Sequence, residues 1–318
     1  MKIILKRIAA AIPVLFIVSI MVFLMLQLLP GDPATVILGQ EATPEAVEAM
    51  REQLGLNRPL VIQYVDWLSK VLQGNLGQSL VDGSNVNDLI AERLPATLEL
   101  AFGSFFVALI IALPCGIISA AKPNTLVDYV CTFISMIGMS IPHFWLGMLC
   151  IIVFAVQLGL VPASGYVPFF DDPVENLKTI ILPVIATGFR ESAVLTRMVR
   201  SSMLEVLQSD YIRTAKAKGL APKAILFGHA LKNAMIPVIT TSGLLLAGLL
   251  GGLVITETIF NIPGYGKLII DSVFNRDFIT VQSAILVSAV FVVVVNIAVD
   301  ILYAFVDPRI RFGKESNS

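Results

Sequence analysis

Arg190 and Glu191 stand side by side about twelve residues into the apolar run 178–199. If that run crosses a membrane, an ionised side chain at such a depth costs at least ~2.5–3.5 kcal/mol. Neighbouring helical residues point roughly 100° apart, so the two are not expected to neutralise each other as a surface pair three or four residues apart does. His143 follows Pro142, where a side chain most often satisfies a backbone carbonyl freed by a proline kink. Other chemistry is sparse. With two histidines (His143 and His229) there is no metal-ligand spacing, no catalytic triad and no paired carboxylates. Cys115, Cys131 and Cys150 form no Cys-x-x-Cys and sit in apolar stretches, as small buried hydrophobes do. Gly264-Tyr-Gly-Lys267 lacks the spacing by which backbone amides cradle a phosphate. The residues therefore suit a chain that is not itself an enzyme.

The elements that must hold these residues are membrane helices. Of 318 residues 56% are hydrophobic and 14% charged, and the mean hydropathy is +0.85. A soluble domain is about 25% charged, so this chain could not cover its own surface with polar groups. Net charge is −1, which gives no global basic field for nucleic acid. The fold class expected is an all-α integral membrane protein with six transmembrane helices near 8–29, 97–121, 129–160, 178–199, 234–256 and 281–306. The third is too long for one straight span, and Pro142 is expected to kink or break it. Gly243, Gly248, Gly251 and Gly252 in the fifth fit close helix–helix approach. In the last, Asn296 and Asp300 sit one turn apart, and Asp300 is read as pairing with a nearby basic group.

Orientation follows from the basic flanks. Placing the N-terminus in the cytoplasm puts fourteen of the 22 Lys and Arg on the inside and seven outside, Arg190 being the remaining one. Both termini are thus expected in the cytoplasm. The organisation read from this is an N-terminal span over 1–29, an extracytoplasmic, partly helical loop over 30–96, a five-helix core over 97–306 and a cytoplasmic tail over 307–318.

Two loops carry patterns of their own. In the outer one, Thr43-Pro44-Glu45 starts a helix that should stop near Gly55. A second amphipathic stretch, Leu60 to Leu72, carries Tyr64 and Trp67 and ends before Gly74. It reads either as a helix at the membrane interface or as a contact surface for an extracytoplasmic partner. In the inner loop, 200–233, Ser209-Asp210 caps a short helix from Tyr211 to Lys218, and Gly219 ends it in the left-handed conformation. Pro222 starts a second helix through Leu231 toward Asn233. This basic helix–turn–helix reads as a juxtamembrane element attracted to anionic lipid or as a docking element for another protein.

The run Asp210-Tyr-Ile-Arg-Thr-Ala-Lys-Ala-Lys-Gly219, with His229-Ala-Leu-Lys-Asn-Ala-Met-Ile-Pro237, resembles the cytoplasmic loop of permease subunits of bacterial ABC importers. More narrowly it resembles the peptide/nickel branch, the dipeptide-permease B type. Supporting blocks run end to end: Leu29-Pro-Gly-Asp-Pro33, Leu94-Pro-Ala-Thr-Leu-Glu-Leu100, Arg200-Ser-Ser-Met-Leu-Glu205, Glu257-Thr-Ile-Phe-Asn-Ile-Pro-Gly-Tyr-Gly266 and Asp307-Pro-Arg-Ile-Arg311. Against the general importer motif, Arg213-Thr214-Ala215 replaces Glu-Ala-Ala, and His229 and Lys232 stand where Ile and Pro would be, a departure that itself resembles the peptide branch.

The resemblance implies a multi-pass protein of the bacterial inner membrane that imports di- or oligopeptides. Its partners would be a second homologous permease, two ATPase subunits that bind ATP and Mg, an extracytoplasmic substrate-binding protein and membrane lipid; no cofactor is expected on this chain and no nucleic acid. Tyr211, Arg213, Thr214, Ala215, Lys218 and Gly219 would form the coupling helix seated in an ATPase cleft. Arg190, Glu191 and His143 are the candidates for the translocation pathway, where Arg meets a carboxylate and Glu an amine of a zwitterionic peptide. The other reading buries Arg190 and Glu191 against the second permease. Gly243 and its neighbours would serve the contact between the two permeases. A nickel or metal-chelate importer is the alternative within the family. An ion-coupled secondary transporter, working through Arg190, Glu191 or Asp300, is the alternative from another class, and a structural assembly subunit a further one.

Overall fold

The computed structural model describes residues 2–28, 32–39, 42–251 and 253–306. Most of the Leu29–Pro33 block, Gly252, the Asp307–Arg311 block and the tail lie outside the described residues, as do the side chains of Lys2, Lys6 and Asp300. Among the described residues every regular element is helical, apart from a single antiparallel bridge between Gln78 and Asn85. In chain order these are α1 (Lys2–Leu28), α2 (Pro33–Leu38), α3 (Pro44–Gln53), α4 (Leu60–Leu72), α5 (Val86–Ala121), α6 (Leu126–Ser140), α7 (His143–Cys150) and α8 (Pro173–Leu207). There follow α9 (Asp210–Ala217), α10 (Leu231–Leu250), α11 (Val254–Ile259), α12 (Tyr265–Phe274) and α13 (Phe278–Val306). Ile151–Gln157 continues α7, and Ala224–Ala230 leads into α10, each wound more widely as a π-helix.

Among the described residues four helical stretches are long and apolar enough to cross a membrane: Val86–Ala121, Pro173–Leu207, Ala224–Leu250 and Phe278–Val299. The pair α6 and α7 makes a fifth if it counts as one span; it is bent by 103° at Ile141–Pro142, so the expected break falls at the expected proline. α1 carries a shorter apolar stretch, Ala9–Met25. Two boundaries differ from the sequence reading. The helix begun at Pro222 does not stop near Asn233 but runs on to Leu250, continuing through Pro237. The fifth apolar stretch stops there, and Val254–Ile259 forms a short separate helix.

The chain divides into two compact units. The first comprises Met1–Thr97, Gly251–Val254 and Pro263–Val293. Its helices α2 and α3 start as the residues require: Asp32 and Thr43 accept from backbone N–H groups of the first turn, with prolines at the next position. Its core gathers Val86, Ile90, Tyr265 and Ala284. Tyr265 is wholly buried. Its N–H donates to Thr97 Oγ1 at 2.7 Å, its hydroxyl donates to the Ala284 carbonyl, and it accepts from Ser288 Oγ at 3.2 Å. Burial pushes the phenol up to about 12, so it stays a donor at any physiological pH. Asp277 fastens the 79–84 turn, accepting from Leu80 N at 3.1 Å and from Thr280 Oγ1 at 2.7 Å.

The second unit comprises Leu98–Leu250, Ile255–Ile262 and Val294–Ser318. It is built around α8, the most enclosed of the four long apolar stretches among the described residues. Small residues let backbones approach it. A Cβ on Gly188 would lie 2.7 Å from the Ser104 carbonyl oxygen and 2.7 Å from Val107 Cβ; one on Gly116 would lie 2.6 Å from Val199 Cβ, and one on Gly138 3.0 Å from Ala193 Cβ. Near the other end, Asn176 donates to Glu99 Oε2 at 2.8 Å and to the Val167 carbonyl at 2.7 Å. Tyr166 is raised above the usual phenol range by burial and by the Glu99 carboxylate.

Gly188→Val is expected to force α5 and α8 apart, at the ~1–3 kcal/mol typical of overpacking or more, since one clash is with backbone. Thermal unfolding of the purified protein, followed by tryptophan fluorescence, would show a lower midpoint than the parent, whereas Gly248→Ala, which meets nothing within 4 Å, should change little.

Candidate functional site

Three of the polar groups held by α8 bear on the site. The first lies beside the α6–α7 break. His143 Nε2 is 3.2 Å from both Thr187 Oγ1 and Thr256 Oγ1, and the two hydroxyls are 3.1 Å apart. Thr187 and Thr256 are buried, so the triangle satisfies three polar groups that an apolar medium would otherwise penalise. The sequence reading gave His143 a freed carbonyl as partner. The structure gives it two hydroxyls instead, because α8 and α11 bring threonines to the break. An open hollow of about 380 Å³, lined by Ile137, Ser140, Ile141, Pro142 and Trp145, adjoins this break.

One turn further along α8 is the Arg190–Glu191 pair. Arg190 Nη1 donates to Glu191 Oε1 at 2.5 Å. The expectation that adjacent helical positions keep the two apart is corrected: the long arginine side chain swings back across the 100° between them. Glu191 is 17% exposed and Arg190 43%, so the guanidinium keeps free surface while the carboxylate is largely enclosed. His143 is hydrogen-bonded to Thr187, one helical turn before Arg190. The three candidate pathway residues thus form one neighbourhood.

The third group was not legible as a site. Asp128, 2% exposed, accepts from Arg200 Nε and Nη2, both at 2.7 Å, from Asn124 N at 2.9 Å and from the Ser119 hydroxyl. Arg200 Nε also lies 3.0 Å from Ser119 Oγ. This bidentate, charge-assisted pair clamps α8 to the turn that joins α5 to α6. Arg200 was visible as part of a motif and Asp128 was not singled out; 72 residues separate them and no spacing rule links the two.

Seven residues after Arg200, α8 ends and the chain turns into α9. Gly219, at φ +77°, closes α9 as expected of a left-handed stop. α9 has two faces. Ile212 and Ala215 are buried in a cluster with Val199, Met203, Ile225, Ala230 and Ala234. Tyr211, Arg213, Thr214, Lys216, Lys218 and Gly219 are exposed. Asn233 Nδ2 donates to Tyr211 Oη at 2.8 Å, and Arg213 reaches Asp210 at 3.3 Å. Of the six proposed coupling residues, Ala215 therefore faces inward as an anchor and the other five face outward. Gly243 is also reassigned: a Cβ there would collide with Val299 of α13, so its close approach is within the chain. Gly248 meets nothing within 4 Å. The cysteines are free and half-buried.

Long apolar helices, charged residues paired beside them and a basic helix on the connecting loop fit an integral membrane protein. The chain belongs to the family of binding-protein-dependent transport system inner membrane components, whose model matches residues 112–312. The N-terminal model of the same kind of membrane component matches residues 1–101. It is 42% identical to the oligopeptide transport system permease protein AppB of Bacillus subtilis, over 97% of this chain and 99% of that protein. It is also 42% identical to the dipeptide transport system permease protein DppB of Alkalihalophilus pseudofirmus, over 96% of this chain and 98% of that one. An inward-facing structure of the MetNI methionine ABC transporter shares the fold, with a TM-score of 0.57, 18% identity and coverage of 69% of this chain and 96% of that one. The chain is a permease subunit of an ABC importer, a multi-pass protein of the inner membrane.

Asp128→Ala would leave the Arg200 guanidinium, the Ser119 hydroxyl and the Asn124 N–H without their acceptor. Removing one partner of a buried pair costs about 3–5 kcal/mol, and the low end applies because Arg200 is 30% exposed. The expected result is a lower unfolding midpoint; in a double-mutant cycle, adding Arg200→Met should cost much less than it does alone.

Proposed function

We propose that this chain is the transmembrane permease subunit of an ATP-driven importer of di- or oligopeptides, coupled to separate ATPase subunits through α9. The observation that carries the coupling is the two-faced geometry of α9: Ile212 and Ala215 rivet it to the helices behind, while Arg213 and Lys218 project from a helix that cannot move independently of α8. The substrate class is supported by the peptide permeases to which the chain is 42% identical along nearly its whole length.

In this reading the six spans are α1, α5, the bent pair α6–α7, α8, α10 with its leading π turns, and α13, and both termini are cytoplasmic, in accord with the basic flanks. The 30–96 segment is extracytoplasmic and 200–233 is the cytoplasmic coupling loop. The remaining partners are a second homologous permease, two ATPase subunits supplied with ATP and Mg, and a substrate-binding protein outside. ATP binding in the partner closes the ATPases and displaces α9. Because α9 is packed on α8, and α8 is clamped through Arg200, the displacement reaches the helices that hold His143, Arg190 and Glu191. That is a two-state element biased by a ligand. The exposed guanidinium of Arg190 suits a peptide carboxylate, and Glu191 a peptide amine.

The test is uptake of a labelled dipeptide into proteoliposomes that hold the whole importer, with ATP inside and the binding protein outside. ATP-dependent uptake is expected, and reversing charge on the outward face (Arg213→Glu with Lys218→Glu) should abolish it together with ATPase co-purification. Uptake that proceeds without ATP would overturn the reading.

Glu191→Gln is expected to raise the half-saturating peptide concentration about tenfold, equivalent to ~1.4 kcal/mol. Unchanged uptake kinetics would remove Glu191 from the pathway and leave it a structural partner of Arg190.

A further inference from the structure

We propose that α4 is immersed in the outer leaflet of the bilayer and that its Val61–Val65–Leu72 face is covered by lipid acyl chains. The inference rests on the reading of α1 as a membrane span. Depth comes from a hydrogen bond. Ser19, 3% exposed in the middle of α1, gives its proton to the Phe16 carbonyl at 2.7 Å, so the Tyr64 hydroxyl 2.7 Å away donates to Ser19 Oγ. Around it the Tyr64 ring lies 5.4 Å from Phe23 and 6.4 Å from Phe16, and Trp67 lies 5.8 Å from Phe23. Ser19 is six residues short of Met25, the outer end of the described apolar stretch, or about 9 Å along the axis at 1.5 Å per residue. A half-bilayer of hydrocarbon is only about 15 Å. A helix whose tyrosine reaches that far down sits below the headgroups and not on top of them.

The helix is built for this position in three sectors. Successive residues turn by 100°, so Tyr64 and Trp67 face α1 while Val61, Val65 and Leu72 share a neighbouring strip. That strip is 74%, 56% and 79% exposed. The side of α1 turned away from α4 is bare and apolar too, Ile17 and Met21 being 52% and 63% exposed. The third sector is polar but largely satisfied within the chain. Asp66 pairs with Arg58 at 3.1 Å, and Gln63 donates to the Leu56 and Arg58 carbonyls at 2.9 and 2.7 Å. A protein docking from the aqueous side meets this polar sector, while the strip beside α1 lies at the depth of the acyl chains.

Nitroxide labels test the assignment in the whole importer, reconstituted into phosphatidylcholine–phosphatidylglycerol liposomes. Cys115, Cys131 and Cys150 are first replaced by serine, and single cysteines are placed at Val61, Val65 and Leu72, at Lys70 in the polar sector, and at Ile17 and Met21. The expected result is that Val61, Val65 and Leu72 match Ile17 and Met21, with an oxygen-to-nickel-chelate collision ratio several-fold above that of Lys70. Access of the chelate to the three α4 positions would place the strip in water, and exclusion of both reagents would place it against protein; either overturns the proposal while leaving α1 a span. Chelate access at Ile17 and Met21 as well would overturn both.

Discussion

The approach of α8 to α5 and α6 without an intervening side chain is the constraint on which the second unit depends. At Gly188 the backbone of one helix nearly touches the backbone of the other, and Gly116 and Gly138 repeat the arrangement against Val199 and Ala193. Apolar side chains offer little reason for helices to prefer one another over lipid, so close van der Waals fit has to supply it. The fit also fixes rotation. With Gly188 turned toward Ser104, the next residues of α8 are committed: Arg190 and Glu191 follow within one turn, and Arg200 arrives beside Asp128 three turns later.

Several polar groups are then placed where a partner is within reach. His143 depends on Thr187 and Thr256, Asn176 on Glu99, and Asp128 on Arg200. The His143–Thr187, Asn176–Glu99 and Arg200–Asp128 pairs each join α8 to a different element. Buried pairs of this kind contribute little net stability against an apolar replacement, yet losing one member is costly. Their effect here is to specify register, because a helix rotated or slid by one residue would leave several of them unpaired at once. Arg190 and Glu191 differ from the rest in pairing within a single helix, which leaves the arginine half exposed and able to take a second partner.

Local signals in the sequence carried the elements well and the partnerships poorly. Thr43-Pro44, Gly55, Gly74 and Gly219 mark helix ends because capping and left-handed backbone are decided within a few residues. Pro142 marks the break for the same reason. The run from Pro222 to Leu250 was divided too early because its basic residues read as loop, whereas they sit on turns of a helix that continues into the apolar stretch. Gly243 read as a contact for another subunit because spacing shows that a residue is small without showing what approaches it. The threonines on His143, and the acid on Arg200, lie 44 to 113 residues from their partners, a distance that no periodicity encodes.

In the proposed coupling, the same architecture would let a short surface helix act on residues within the second unit. α9 alone is eight residues, too short to be stable in isolation, and two of its residues, Ile212 and Ala215, are built into the cluster that includes Val199 and Met203 of α8. A push on its outward face is therefore a push on the end of α8. Because Arg200 ties α8 to the α5–α6 turn close to that end, the motion cannot be absorbed by fraying the last turns. It must pass along α8 as a rigid body, or reopen the clamp. In that proposal the motion would arrive at the α6–α7 break, where the backbone has already given up its helical hydrogen bonds at Pro142 and can change angle at least cost.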